Sequence, residues 1–272
     1  MRSLPLLTLI ALSAVAGAQQ LPAPTADTSE WRFTGATGTI VDKAFGPGEM
    51  EEAGNVIGSG VDQFTTCSAA GLPLINGVDA QILQFGVHTP TEGYRLRPRM
   101  AASVGDGPHQ FTMIFDMYVS SVNPVMYMGI WQGSNTNVND AELFLSPVNL
   151  GFYVAGNGDV CTNCWNTDTW NRFVMVNDYP TTSRIFVNGS LVWAGFSPDY
   201  LWNGDPGGPA NWLLTDNDNE TGPGWIANFA LTDQFMVAAD IATLGSPDAA
   251  GIFTPFIPPA VGTTICLGDG SG

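Results

Sequence analysis

The run from Trp170 to Gly195, WNRFVMVNDYPTTSRIFVNGSLVWAG, constrains the fold more than any other stretch of this chain. Phe173 and Met175 alternate with Val174 and Val176, and Ile185 and Val187 flank Phe186, the period of two that belongs to strands. Asn188-Gly189 supplies the residues that accept positive φ in a two-residue hairpin turn. The segment reads as two strands joined by a turn and followed by a third, which is a sheet signature.

Further strands are predicted over 31–33, 80–85, 94–97, 110–119, 125–131, 142–145, 151–155, 211–215 and 225–232. Phe111, Met113, Phe115, Met117 and Val119 form a clean alternation, and Trp225, Ala227, Phe229 and Leu231 repeat it. Clusters of Gly, Pro, Asn and Asp between them carry the chemistry of turns. One helix is predicted, over 237–244, where Val237, Ile241 and Leu244 share a face and Gly245 is placed to end it. The fold class expected is therefore all-β, with one short C-terminal helix.

Arg2, the apolar run from Leu4 to Val15 and Ala16-Gly17-Ala18 form a signal-peptide pattern too short to span a bilayer. Residues 1–18 are read as that signal, 19–30 as a flexible segment, 31–251 as one β-sandwich and 252–272 as a Pro/Gly-rich tail, truncated if the chain is a fragment. A secreted or cell-surface location follows, with no membrane insertion of the mature chain. The formal net charge is −17, and Lys43 is the lone lysine. Affinity for polyanions depends on basic side chains, so nucleic acid is excluded as a partner and anionic membranes are unfavourable.

The order tryptophan, strand, polar turn, RIFVNG, strand resembles the central hairpin of laminin-G-like domains, members of the concanavalin A-like lectin and glucanase superfamily. AADIATLG resembles the helix that ends many bacterial members. LQFGVHTPTEGYRL, QFTMIFDMYV, GSNTNVNDAELFLSP and LLTDNDNETGPGWIANFALTD are also similar to a secreted bacterial subfamily. The resemblance implies a concanavalin A-like jelly roll, a β-sandwich of two antiparallel sheets.

Cysteines in an exported chain tend to be oxidised. Cys161 and Cys164 admit three readings: a loop-closing disulfide, a redox dithiol or half of a zinc site. The chain shows neither the βαβ context nor the second ligand pair that the last two require, so the disulfide is preferred. Cys67 and Cys266 are a second possible pair.

Two oxygen-rich clusters follow predicted strands, Ser134 to Asp140 and Asp216 to Glu220. Calcium takes six to eight oxygen ligands, and two such loops meeting at one end of a sandwich can supply them. Laminin-G-like domains hold calcium through a few acidic residues at a loop edge, which the resemblance extends to Asn139, Asp140, Asp216, Asp218 and Glu220. The same Asp216, Asp218 and Glu220 evoke the E-x-D-x-E strand of laminarinase-type glucanases on this fold. Asn217, Asn219 and Gly222-Pro223-Gly224 read instead as an open, solvated loop. His88 and His109 read as partly exposed loop residues, and no G-x-S-x-G, H-E-x-x-H or nucleotide motif occurs. Arg95, Arg97 and Arg99 alternate as strand residues facing acidic neighbours.

Trp165 and Trp202, in polar loops, are the candidate ligand-stacking aromatics, while Trp170, Trp193 and Trp225 read as core or core-edge. The expectation is an extracellular, non-catalytic recognition domain for polysaccharide or protein ligands, with a calcium-supported loop. The alternatives are a divergent glucanase-like or lyase-like enzyme and a structural or adhesive surface module.

Overall fold

A computed structural model describes residues 21–35, 42–101, 109–122, 125–133, 142–196 and 211–253. The chain forms β1 (Ser29–Arg32), β2 (Asp42–Phe45), β3 (Glu49–Ala53), helix α1 (Val56–Ser59), β4 (Gln63–Thr66), β5 (Gln81–Phe85), β6 (Gly93–Arg97), β7 (Gln110–Tyr118) and β8 (Met128–Gln132). It continues through β9 (Glu142–Ser146), β10 (Gly151–Val154), β11 (Gly158–Cys161), β12 (Trp170–Asp178), β13 (Thr182–Val187), β14 (Ser190–Gly195), β15 (Asn211–Leu213), β16 (Gly224–Thr232) and helix α2 (Ala238–Leu244).

These strands pair antiparallel in two sheets, as expected of a β-sandwich. One runs β14-β13-β12-β7-β16-β1-β2, with β5 also pairing β16 and β4 pairing β5; the other runs β11-β10-β9-β8-β15-β6-β3. The 170–195 unit forms as read: Phe173 faces Val187 and Met175 faces Ile185, with Asn188 and Gly189 at φ 49° and 85° in the turn to β14. Strands β2, β3, β4 and β11 and helix α1 lack a strong apolar alternation and carried no sequence expectation.

The inward residues of β7 and β12, Phe111, Met113, Phe115, Phe173 and Met175, join Trp131, Leu145, Phe152 and Leu213 from the other sheet in one core between the layers. The outward residues Ile114, Val174, Val176 and Ala230 meet Met236, Ile241 and Leu244 of the α2 region in a second cluster. Central strands of the first sheet are thus covered on both faces and bury almost every position.

Three local expectations change. Ala227 occupies a bulge in β16, so Ile226 enters the inter-sheet core while Trp225 and Ala227 turn to a third cluster with Tyr118 and Trp170. Val237 lies at the N-cap of α2 and is 49% exposed, because the helix begins at Ala238 and buries only Ile241 and Leu244. Within the segment read as flexible before residue 31, Leu21, Thr28, Ser29 and Glu30 are buried, and Ile252 and Phe253, assigned to the tail, join the second cluster. Residues 1–20 and 254–272, including Cys266, lie outside the described residues. Among the described residues no helix is long and apolar enough to cross a membrane.

Candidate functional site

The acidic segment 215–223 links β15 of one sheet to β16 of the other. Asp216 is 1% exposed and turns inward: its Oδ2 accepts the main-chain N–H groups of Asp218, at 2.7 Å, and Glu220, at 3.1 Å. Its Oδ1 accepts from the Gln132 side-chain amide at 3.4 Å. The Glu220 carbonyl accepts the Gly129 N–H at 2.8 Å, and Cβ at residue 129 would stand 2.7 Å from the Thr215 carbonyl oxygen. Glycine there is what lets the loop lie against β8. Asp218 and Glu220 point to solvent.

The loop therefore differs from the solvated turn expected of it. Burial raises the Asp216 pKa above the ordinary carboxylate range, outweighing the N–H groups of Glu220 and Asp218 that lower it. Glu220 is raised as well, first by desolvation and then by the charges of Asp216 and Asp218. Gln132 is buried, and its Oε1 has no hydrogen-bond partner among the described residues. Asn139 and Asp140 lie outside those residues, and within them no group of three or more His, Cys, Asp or Glu side chains is arranged to hold a metal ion.

A buried polar network anchors the start of this loop. His88 is 1% exposed, contrary to its reading as a partly exposed loop residue. Its Nδ1 lies 2.6 Å from the Leu214 carbonyl oxygen and its Nε2 lies 2.8 Å from Asp62 Oδ1. Tyr94 donates its hydroxyl to Asp62 Oδ2 at 2.6 Å, and the Gly86 N–H donates to Oδ1 at 2.9 Å. Thr221 and Thr215 add side-chain bonds to the carbonyls of His88 and Thr89. Asp62 and His88 are far apart in sequence and neither neighbourhood signals the other.

A second network ties α2 to the first sheet. Arg172 on β12 stands in register with Asp116 on β7, which is in turn in register with Asn228 on β16. Arg172 donates from Nε to Asp116 Oδ1 at 2.7 Å and from Nη2 to Oδ2 at 2.8 Å, a two-point pairing. Arg172 Nη1 also donates to the Leu244 carbonyl at 2.7 Å, and Asn228 bridges Asp116 and the Asp248 carbonyl. A signal existed: Asp116 is the one charged residue of β7 and Arg172 the one basic residue of β12.

Trp165, the candidate stacking residue, is 2% exposed. Its indole N–H donates to the Gly151 carbonyl at 2.9 Å and its ring packs edge-on against Phe173, so it belongs to the core. Trp202 lies outside the described residues. Cys161 and Cys164 form a disulfide at the end of β11, and Cys67 is a buried free thiol whose pKa burial pushes up. Arg95 and Arg97 pair with Glu51, and Arg97 and Arg99 with Glu49, the ladder expected of YRLRPR.

No protein-family model and no curated protein matches the sequence. Solved structures do match the fold. Domain 4 of AbnA, a GH43 extracellular arabinanase from Geobacillus stearothermophilus in complex with arabinotriose, aligns with TM-score 0.53 and 13% identity over 83% of this chain and 100% of that one. The binding domain of Paraclostridial Mosquitocidal Protein 1 aligns with TM-score 0.53 and 12% identity, over 80% of this chain and 52% of its own. Trypanosoma rangeli sialidase in complex with 2,3-difluorosialic acid aligns with TM-score 0.51 and 12% identity, over 85% and 35%. The chain thus spans all of the arabinanase domain, about half of the mosquitocidal binding domain and about a third of the sialidase. At these identities the likeness establishes the β-sandwich fold.

Proposed function

We propose that this protein is an extracellular recognition domain that binds carbohydrate without cleaving it. The observation that carries this reading is the arrangement of Asp216, Asp218 and Glu220. A glucanase strand presents carboxylates at i, i+2 and i+4 to one groove. Here Asp216 turns inward to cap the main chain of its own loop, while Asp218 and Glu220 point to solvent. Glycoside hydrolysis needs two carboxyl groups flanking one scissile bond. The fold shared with an arabinanase domain solved with arabinotriose supports carbohydrate as the ligand class, and the laminin-G-like resemblance of RIFVNG and AADIATLG supports a recognition role.

Calcium at the same loop is part of this reading. Its support is the mutual repulsion of Asp216, Asp218 and Glu220 and the unpartnered buried Oε1 of Gln132 beside them. Asp218 and Glu220 are the exposed candidate ligands here, with Asn139 and Asp140 as further candidates. A bound divalent cation would neutralise the carboxylates and order the loop.

A glycan array on the purified chain, run with and without chelator, tests recognition, and a reducing-end assay on arabinan, laminarin and alginate tests cleavage. Binding without turnover is expected. Turnover abolished by Asp218→Asn or Glu220→Gln would replace this reading with the enzymatic one.

A further inference from the structure

We propose that a cleft of about 500 Å³ on the α2 side of the molecule is a binding site for a neutral saccharide unit. It lies between the 73–76 turn, the start of β12, the β13–β14 turn and the segment following α2. The inference rests on the carbohydrate reading and deepens it by naming a site, remote in sequence from the acidic loop, and a ligand class.

Both walls are held by hydrogen bonds from buried or largely buried side chains, so the cleft exists before any ligand arrives. On one side the Trp170 indole N–H donates to the Pro73 carbonyl at 2.8 Å. On the other, Arg172 grips the Leu244 carbonyl at 2.7 Å and Asn228 grips the Asp248 carbonyl at 3.0 Å, both braced on Asp116. A preformed site spares a ligand the cost of ordering it. The volume falls within the ~300–1,000 Å³ of small-molecule sites.

The lining selects the ligand. Pro73, Leu74 and Pro247 give it apolar wall, and Leu74 is 45% exposed, apolar area left open at its mouth. Asn76, Thr169 and Ser246 bring an amide and two hydroxyls whose side chains make no hydrogen bond within the described structure. Groups that both donate and accept match the hydroxyls of a sugar, and apolar wall matches the C–H face of its ring. Among the described residues Asp248 is the charged member of the lining and no lysine, arginine or histidine joins it, and the chain carries a formal charge of −17. Uronates and sulfated sugars are therefore repelled, whereas a neutral sugar is not.

The test is calorimetric titration of the full chain with arabinotriose, cellotriose, maltotriose and laminaritriose, set against trigalacturonate and a sulfated carrageenan oligosaccharide. Thr169→Tyr and Ser246→Tyr fill the cleft from exposed positions, and Asp248→Asn, which keeps the side-chain acceptor for the Ala250 N–H, is the conservative probe should either aromatic variant fail to fold. A neutral trisaccharide whose binding weakens at least tenfold in folded Thr169→Tyr and Ser246→Tyr, and a trigalacturonate affinity that rises in Asp248→Asn, are the expected results. Undiminished neutral-sugar affinity in a folded aromatic variant, or an unchanged trigalacturonate affinity in Asp248→Asn, would place the sugar elsewhere and overturn the cleft while leaving carbohydrate recognition intact. Binding of the anionic sugars alone would overturn the ligand class. Binding of none, here and on the glycan array, would overturn both the cleft and the carbohydrate reading.

Discussion

His88 Nδ1 sits 2.6 Å from the carbonyl oxygen of Leu214, a residue held at φ 59°, in the left-handed region that a branched side chain seldom enters. A carbonyl only accepts, so Nδ1 carries a proton, and Nε2 faces a carboxylate that already accepts from Tyr94 and Gly86. The protonated imidazole satisfies both acceptors at once, and the ring pins the backbone where β15 turns into the acidic loop. Local strain of this kind persists because its surroundings over-determine it.

Burial lowers the His88 pKa, but the hydrogen bond and charge of Asp62 outweigh it, with Leu214 and Glu92 assisting, and the net shift is upward. A raised histidine contributes stability that is full below its unfolded pKa of about 6.5 and is lost as pH rises through the folded value. Melting temperature should therefore fall on the alkaline side of about pH 6.5 in the native chain and less steeply in His88→Gln. Removing the imidazole leaves Asp62 buried with an uncompensated charge, a loss of about 3 to 5 kcal/mol in denaturant unfolding. Equal pH profiles for the two proteins would refute the ion pair.

Arg172→Met should cost a similar ~3 to 5 kcal/mol, because Asp116 would remain buried without its partner. Arg172→Lys should recover little of it, since an ammonium cannot reproduce the two-point geometry. Double replacement, Arg172→Met with Asp116→Leu, should unfold at higher urea than Arg172→Met alone. A single variant as stable as the native protein would count against the clamp.

Calcium added to metal-stripped protein should raise the melting temperature, by about 2.7 kcal/mol of stabilisation at a hundred times the dissociation constant. The increment should shrink as pH falls into the carboxylate range, where the raised Glu220 takes up its proton early. It should vanish in Asp218→Asn with Glu220→Gln. An unchanged melting curve across millimolar calcium would end the calcium reading.

The Cys161–Cys164 bridge closes a very short loop, so it removes little chain entropy from the unfolded state. Its reduction should cost less than the ~2 to 4 kcal/mol of longer bridges. Intact mass after alkylation without reductant should show this pair blocked and Cys67 free but slow to react, as a buried thiol is. Alkylation of both Cys161 and Cys164 in the secreted protein would contradict the bridge.

The β-sandwich was legible in residues such as Phe111 to Val119 and Phe173 to Val187, because a period of two and an Asn-Gly turn act over neighbouring residues and need nothing distant. The 161–164 pairing was legible for the same reason, as was the alternation of Arg95, Arg97 and Arg99, but the glutamates that pair with them, Glu49 and Glu51, come from β3 and only the fold supplies them. What tertiary structure alone decided was the use of polar groups. His88, Asp62 and Tyr94 carry no mutual spacing, and only the packing of loops at one end of the sandwich brings them within hydrogen-bond distance. The inward turn of Asp216, the burial of Trp165 and the bulge at Ala227 likewise depend on what the opposing strand presents. Apolar alternation names a face, but whether a polar or aromatic side chain meets water or a partner is settled by elements distant in sequence.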